Sequence, residues 1–138
     1  MKTGKLTFGV MLTAAFGIAT ALADNSQTPV LPPASTKTGV TYAADIRPIF
    51  EATCFKCHDS SKKPPKDGLA LNSLDGVLKG SKDGIVIKPG DSAHSDLVLD
   101  VAHAGDDPDT YMPKGKGAKP LTPEQIGLIR AWIDQGAK

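Results

Sequence analysis

The stretch EATCFKCHDS, residues 51–60, holds both cysteines of a 138-residue chain, two residues apart, with a histidine directly behind the second. A C-x-x-C pair serves three chemistries, and each makes a different demand on the fold around it. Thiol–disulfide exchange places the pair at the opening of a helix that follows a strand in a βαβ unit. Here the preceding DIRPIFEATC reads as a helix and no βαβ pattern follows. Structural zinc needs four ligands, and Cys54, Cys57 and His58 with either His94 or His103 supply the right atoms. A ligand adjacent to Cys57, however, is poorly placed to close a tetrahedron with it.

The third chemistry is covalent haem attachment, in which each thiol adds across one vinyl group and the following histidine ligates the iron. Two intervening residues let a helical turn present both sulfurs to one porphyrin edge while His58 swings under the macrocycle. The spacing therefore favours haem. Iron in an electron carrier takes a sixth ligand, and a methionine there raises the reduction potential. Once Met1 and Met11 are discounted with the leader described below, Met112 alone remains, in the loop segment YMPKGKGAKP ahead of the last helix. A lone methionine is otherwise core filling, but a Pro- and Gly-bounded loop is not where filling is needed. His94 and His103 are the competing ligands. His94, at the start of a predicted helix, reads as exposed, and His103, near its end, as a partner of the terminal carbonyls.

The first 23 residues read as a signal peptide. Lys2 and Lys5 form a positive head, the 17 residues Leu6 to Leu22 carry no charge, and Ala21-Leu22-Ala23 offers a cleavage site. An uncleaved anchor is the rival, since 17 residues reach the lower bound of a spanning helix. Cleavage after Ala23 leaves 115 residues, enough for one domain and not two. Taking Lys2 and Lys5 from the 16 basic residues leaves 14 against 15 acidic ones, which excludes the basic excess of a nucleic-acid binder. Phe8 and Phe16 leave with the leader, so a small domain short of aromatics needs something else to complete its interior.

Residues 24–40, DNSQTPVLPPASTKTGV, are Pro/Ser/Thr-rich without periodicity and read as a flexible linker, with the domain spanning 41–138. Asp45 is the expected cap of the first helix, with Pro48 in its first turn and Ile46, Ile49 and Phe50 on its buried face. Ser73 opens and Gly80 closes a short helix, and Pro89-Gly90 makes a turn. A further helix beginning near Ser92 or Ser95 carries Leu97, Val98, Val101 and Ala102 on one face and is expected to stop at Gly105. The last helix has Thr122 as cap, Pro123 at the first position and Gln125 completing a capping box. Ile126, Ile129, Trp132 and Ile133 form its apolar side, and Gly136 ends it.

The segments YAADIRPIFEATCFKCH, GLALNSLDGVLKG, IKPGDSAHSDLV and YMPKGKGAKPLTPEQIGLIRAWIDQGA, in this order, resemble mono-haem class I c-type cytochromes, and within them the planctomycete-type cytochrome c domain. The resemblance covers nearly all of residues 42–137. It implies an all-α cytochrome c fold, short helices and long loops wrapped around one covalently bound haem. It implies thioethers from Cys54 and Cys57, His58 as proximal and Met112 as distal iron ligand, and first and last helices that cross, bringing Phe50 against Trp132. One departure is MPKGKG, where relatives often read Met-Pro-Pro, which leaves the ligand in place and bears on its loop.

The haem is expected to complete the thin core, lined by Leu69, Leu71, Leu97, Val98, Val101, Ile126, Ile129 and Trp132. His58 is expected to donate its other ring hydrogen to a backbone carbonyl, with the loop holding Pro64 and Pro65 as its source. Lys56, Lys62, Lys63 and Lys66 follow the attachment site and Lys114, Lys116 and Lys119 follow Met112, whereas acidic residues crowd Asp91 to Asp109. Such a basic rim would steer acidic redox partners. The expected function is that of an exported, monomeric periplasmic electron carrier, an electron-transfer protein and not an enzyme, with no nucleic-acid partner and no stable membrane insertion. The alternatives are a haem-bearing accessory or sensor domain of a larger redox system and, third, a thiol–disulfide oxidoreductase.

Overall fold

The computed structural model describes residues 30–61 and 63–138. The expected signal peptide, the beginning of the linker and Lys62 lie outside these residues. Among the described residues five α-helices follow one another: α1 (Arg47–Thr53), α2 (Phe55–His58), α3 (Leu74–Lys79), α4 (Asp96–Ala102) and α5 (Pro123–Asp134). A π-helical turn, Tyr42–Ile46, leads into α1, and 3-10 turns at Lys66–Gly68, Ser92–His94 and Pro108–Thr110 punctuate the loops. Among the described residues there is no strand beyond an isolated bridge between Ser81 and Gly84, so the class is all-α as expected.

The first helical run begins earlier than Asp45. Thr41 Oγ1 accepts from the Ala44 N–H (3.3 Å) while the Asp45 carboxylate accepts from the Thr41 N–H (2.9 Å), a reciprocal cap on the π-helical turn. Asp45 also binds the Lys37 ammonium, and these two donors hold its carboxyl below the ordinary carboxylate range. Pro48 sits in the first turn of α1 and Ile46, Ile49 and Phe50 are buried, as the spacing predicts. Ser73 and Gly80 bound α3 as expected. By contrast α4 stops at His103, which takes the left-handed conformation (φ 53°) before Gly105 is reached. In α5 the capping box is complete, with Thr122 N–H on Gln125 Oε1 (2.9 Å) and Gln125 N–H on Thr122 Oγ1 (3.3 Å).

The core is built around Ile46, Phe50, Val98, Ile129, Trp132 and Ile133, all fully buried. The first and last helical segments meet through Tyr42, whose ring centroid lies 6.4 Å from that of Phe50 and 6.1 Å from that of Trp132. The contact expected between Phe50 and Trp132 thus has a third ring in it. The Lys138 carbonyl closes the arrangement, accepting from Trp132 Nε1 (3.0 Å) and from the Tyr42 N–H (2.9 Å).

From Leu31 onward the segment expected to be a flexible linker is laid along α5. Ser35 N–H donates to Gly127 O (2.8 Å), Gln135 Nε2 to Lys37 O (2.8 Å) and Val40 N–H to Gln135 Oε1 (3.2 Å). The Arg130 guanidinium binds Pro32 O and also Ser92 Oγ (3.1 Å), Leu31 packs on the core and Val40 is buried. A Pro/Ser/Thr-rich composition says only that the segment has no periodic structure of its own. Here α5 supplies the missing partners for its backbone.

Gly127 explains how the strap comes so close. A Cβ at this position would lie 2.6 Å from Pro33 O, closer than real side chains approach a carbonyl. Alanine would gain about 1 kcal/mol of helix propensity but must push away backbone, an overpacking cost of about 1–3 kcal/mol. Gly127→Ala is therefore expected to destabilise by about 1 kcal/mol, with faster hydrogen exchange at the Ser35 amide. A raised urea midpoint with unchanged Ser35 exchange would contradict the packing of the strap.

Candidate functional site

A cavity of about 720 Å³ opens between α1–α2, α4, the Met112 loop and the start of α5. That volume falls within the roughly 300–1,000 Å³ of small-molecule and cofactor sites. Cys54, Cys57, His58 and Met112 all line it, together with Leu69, Leu71, Leu97 and Val101. Four residues predicted to carry chemistry and four predicted to line the pocket are thus brought to one place from four separated stretches of chain.

The C-x-x-C-H motif stays helical throughout. Cys54 N–H bonds Phe50 O (2.6 Å), and the N–H groups of Cys57 and His58 bond Cys54 O (3.1 and 3.0 Å), so α2 continues α1 through a slight turn at Cys54. Cys57 is exposed, and Cys54 is partly buried. Burial, with a smaller contribution from the neighbouring Cys57, pushes the Cys54 thiol up to about 11. A thiol-exchange enzyme needs the opposite, a thiolate stabilised near neutral pH, which weighs against the oxidoreductase reading.

His58 is buried, and its Nδ1 lies 3.2 Å from Leu69 O. A carbonyl oxygen can only accept, so Nδ1 carries the hydrogen and Nε2 keeps its lone pair for a metal. The backbone-carbonyl partner is as expected, but it comes from Leu69 and not from the Pro64–Pro65 loop. Two further bonds hold the neighbouring backbone: Leu71 N–H donates to His58 O (2.7 Å) and the buried Tyr42 hydroxyl to Leu71 O (2.7 Å). The imidazole orientation is therefore built into the core.

Met112 is half-buried and followed by Pro113, which also lines the cavity. Its N–H donates to Asp100 O (3.0 Å), tying the loop to the end of α4. Asp100 borders the same cavity, and burial, opposed by a hydrogen bond with Thr110, raises its carboxyl above the ordinary range. The other two histidines are engaged elsewhere. His94 is exposed with Nδ1 on the Asp91 carboxylate (2.8 Å), and His103 Nε2 lies 2.9 Å from Met112 O, not against helix-terminal carbonyls. Neither lines the cavity.

Ile126 and Trp132, expected in the lining, are not part of it, nor are Val98 and Ile129. All four are buried in the core. On α5 it is the capping residues Thr122 and Gln125 that face the cavity, and the apolar stripe turns away from it. An apolar stripe marks a buried face without saying whether protein or a cofactor covers it. Phe50, Val86 and Leu121 also belong to the lining, beyond the residues expected from the sequence. Of the basic rim, Lys56, Lys66, Lys114, Lys116 and Lys119 border the cavity, and Lys63 lies on a neighbouring groove with Glu51 and Asp59.

The fold and site define an all-α domain whose C-x-x-C-H motif and a loop methionine share one largely apolar cavity. Residues 54–115 match the family described as Planctomycete cytochrome C, in agreement with the resemblance read from the sequence. The matched segment runs from the first cysteine past Met112. Among solved structures, Kuenenia stuttgartiensis hydrazine synthase is similar at 25% identity and a TM-score of 0.46, over 71% of this chain. The similar region is 16% of that chain. No curated protein matches significantly.

Proposed function

We propose that the protein is an exported periplasmic electron carrier holding one c-type haem through Cys54 and Cys57, with His58 and Met112 as its iron ligands. The observation that carries this reading is the convergence of two thiols, a buried imidazole with Nε2 left free and a thioether on one cavity of about 720 Å³. The donor set fits the group: sulfur for the vinyl positions, nitrogen and soft sulfur for iron. When bound, haem supplies a one-electron iron couple.

The rest is work for the chain. Leu69 O holds the His58 proton and fixes the ring, raising its basicity as a ligand. Phe50, Leu69, Leu71, Val86, Leu97, Val101 and Leu121 keep water from the site, which favours the less charged reduced state. Among the described residues no helix is long and apolar enough to cross a membrane.

The lysines bordering the cavity, Lys56, Lys66, Lys114, Lys116 and Lys119, form the surface on which an acidic redox partner would dock. Transfer to such a partner is expected to slow about tenfold as ionic strength rises from about 0.01 M to about 0.2 M. A rate flat in salt would remove the lysines from the account.

The reading itself is tested by a reduced-minus-oxidised spectrum of protein exported alongside a haem-attachment system, with a haem stain on the denatured band. Carbon monoxide separates a carrier from a ligand-binding sensor. The reduced carrier, with both axial positions filled, should resist it at neutral pH.

A further inference from the structure

Met112 approaches the cavity from a loop that is mostly exposed between Asp106 and Pro120. Loops of this kind are soft, so something must hold the methionine in register. Its peptide is gripped from both sides by the end of α4. Met112 N–H donates to Asp100 O at 3.0 Å, and Met112 O faces His103 Nε2 at 2.9 Å. Because a carbonyl has no hydrogen to give, His103 is the donor. The same ring stacks on Tyr111, with centroids 4.8 Å apart and planes 2° apart, and the Tyr111 hydroxyl donates to Gly105 O (2.8 Å).

The backbone at His103 adds a second argument. It ends α4 in the left-handed conformation, φ 53°, a place where glycine is the usual residue because a side chain is strained there. A histidine at this position gives up backbone comfort, and what it gains is a ring that reaches Met112 and Tyr111 together. If the residue served only to stop the helix, glycine would serve better.

We propose that His103 is a positioning residue for Met112, clamping the ligand loop so that the sulfur stays in the cavity. The proposal rests on Met112 being an iron ligand, and the clamp decides how readily that ligand gives way.

The test uses the exported, haem-loaded protein and three substitutions. His103→Gly relieves the left-handed strain while deleting the ring, His103→Gln restores a donor at similar reach, and Met112→Ala removes the ligand itself. Each is measured for the methionine-to-iron charge-transfer absorption of the ferric form, for carbon monoxide affinity of the ferrous form and for thermal melting. His103→Gly is expected to bind carbon monoxide about fivefold more tightly than the parent, the worth of one hydrogen bond, with a weaker charge-transfer band and a melting temperature no lower. His103→Gln is expected to return most of the resistance. Carbon monoxide affinity and band unchanged in His103→Gly, with Met112→Ala differing strongly from the parent, overturns the clamp alone. A parent that lacks the band and matches Met112→Ala overturns the ligand reading and the clamp with it.

Discussion

Met112→Ala is expected to leave haem covalently attached while lowering the reduction potential by on the order of 0.1–0.3 V, a share of the roughly 0.8 V range that axial ligands command. The thioether is a soft ligand that favours the reduced iron, and Met112, the proposed sixth ligand, stands on a loop whose backbone is fixed to α4 through Asp100 O. Alanine at that position leaves the Met112 N–H bond to Asp100 intact and removes only the sulfur. The reduced variant should therefore bind carbon monoxide readily, and its spectrum should change in both redox states. Lys116→Ala provides the contrast, since it removes a charge at the same cavity without touching a ligand, and its spectrum should match the parent. An unaltered potential in Met112→Ala would move the sixth ligand to another residue.

Trp132→Ala is expected to cost about 3–5 kcal/mol of stability, the range for deleting a large buried aromatic side chain. Trp132 is fully buried, packs 6.1 Å from the Tyr42 ring and donates from Nε1 to Lys138 O at 3.0 Å. Removing it would leave a cavity at the point where the first and last helical segments meet. Tyr42 also carries the hydroxyl that holds Leu71 O, so the damage should reach the His58 support indirectly, as looser packing. Because Trp132 does not line the cavity, a folded population of the variant should still show the parent's spectrum. Urea unfolding measures the cost. A loss below about 1 kcal/mol, together with a displaced haem spectrum, would return Trp132 to the pocket and contradict its place in the core.

Local chemistry was legible in the sequence. Cys54, Cys57 and His58 declare themselves by spacing, and Met112 by being left over on a Pro- and Gly-bounded loop. Leu69, Leu71, Leu97 and Val101, apolar residues expected to line a group that completes a thin core, do border the cavity. Ile126 and Trp132 could not, since core and cofactor-facing positions on one helix give the same periodic signal. The helix stop at His103 was missed because Gly105, two residues on, carries the stronger propensity. Likewise Asp45 is the cap expected from the sequence, whereas the π-helical turn ahead of α1 moves the cap to Thr41.

The strap was the least legible feature. Residues 31–40 have no period to read, and their structure is owed to partners on α5 nearly a hundred residues away. One signal was available. Gly127 stands inside a helix with strong capping grammar, where glycine costs about 1 kcal/mol against alanine, and a glycine so placed points to close approach by another backbone.

The most direct measurement is the intact mass of the protein exported with a haem-attachment apparatus and then denatured. A polypeptide carrying the added mass of one haem, absent when Cys54→Ser and Cys57→Ser are combined, is the predicted result. The mass of the bare polypeptide, with attachment machinery demonstrably active on another substrate in the same cells, would contradict it.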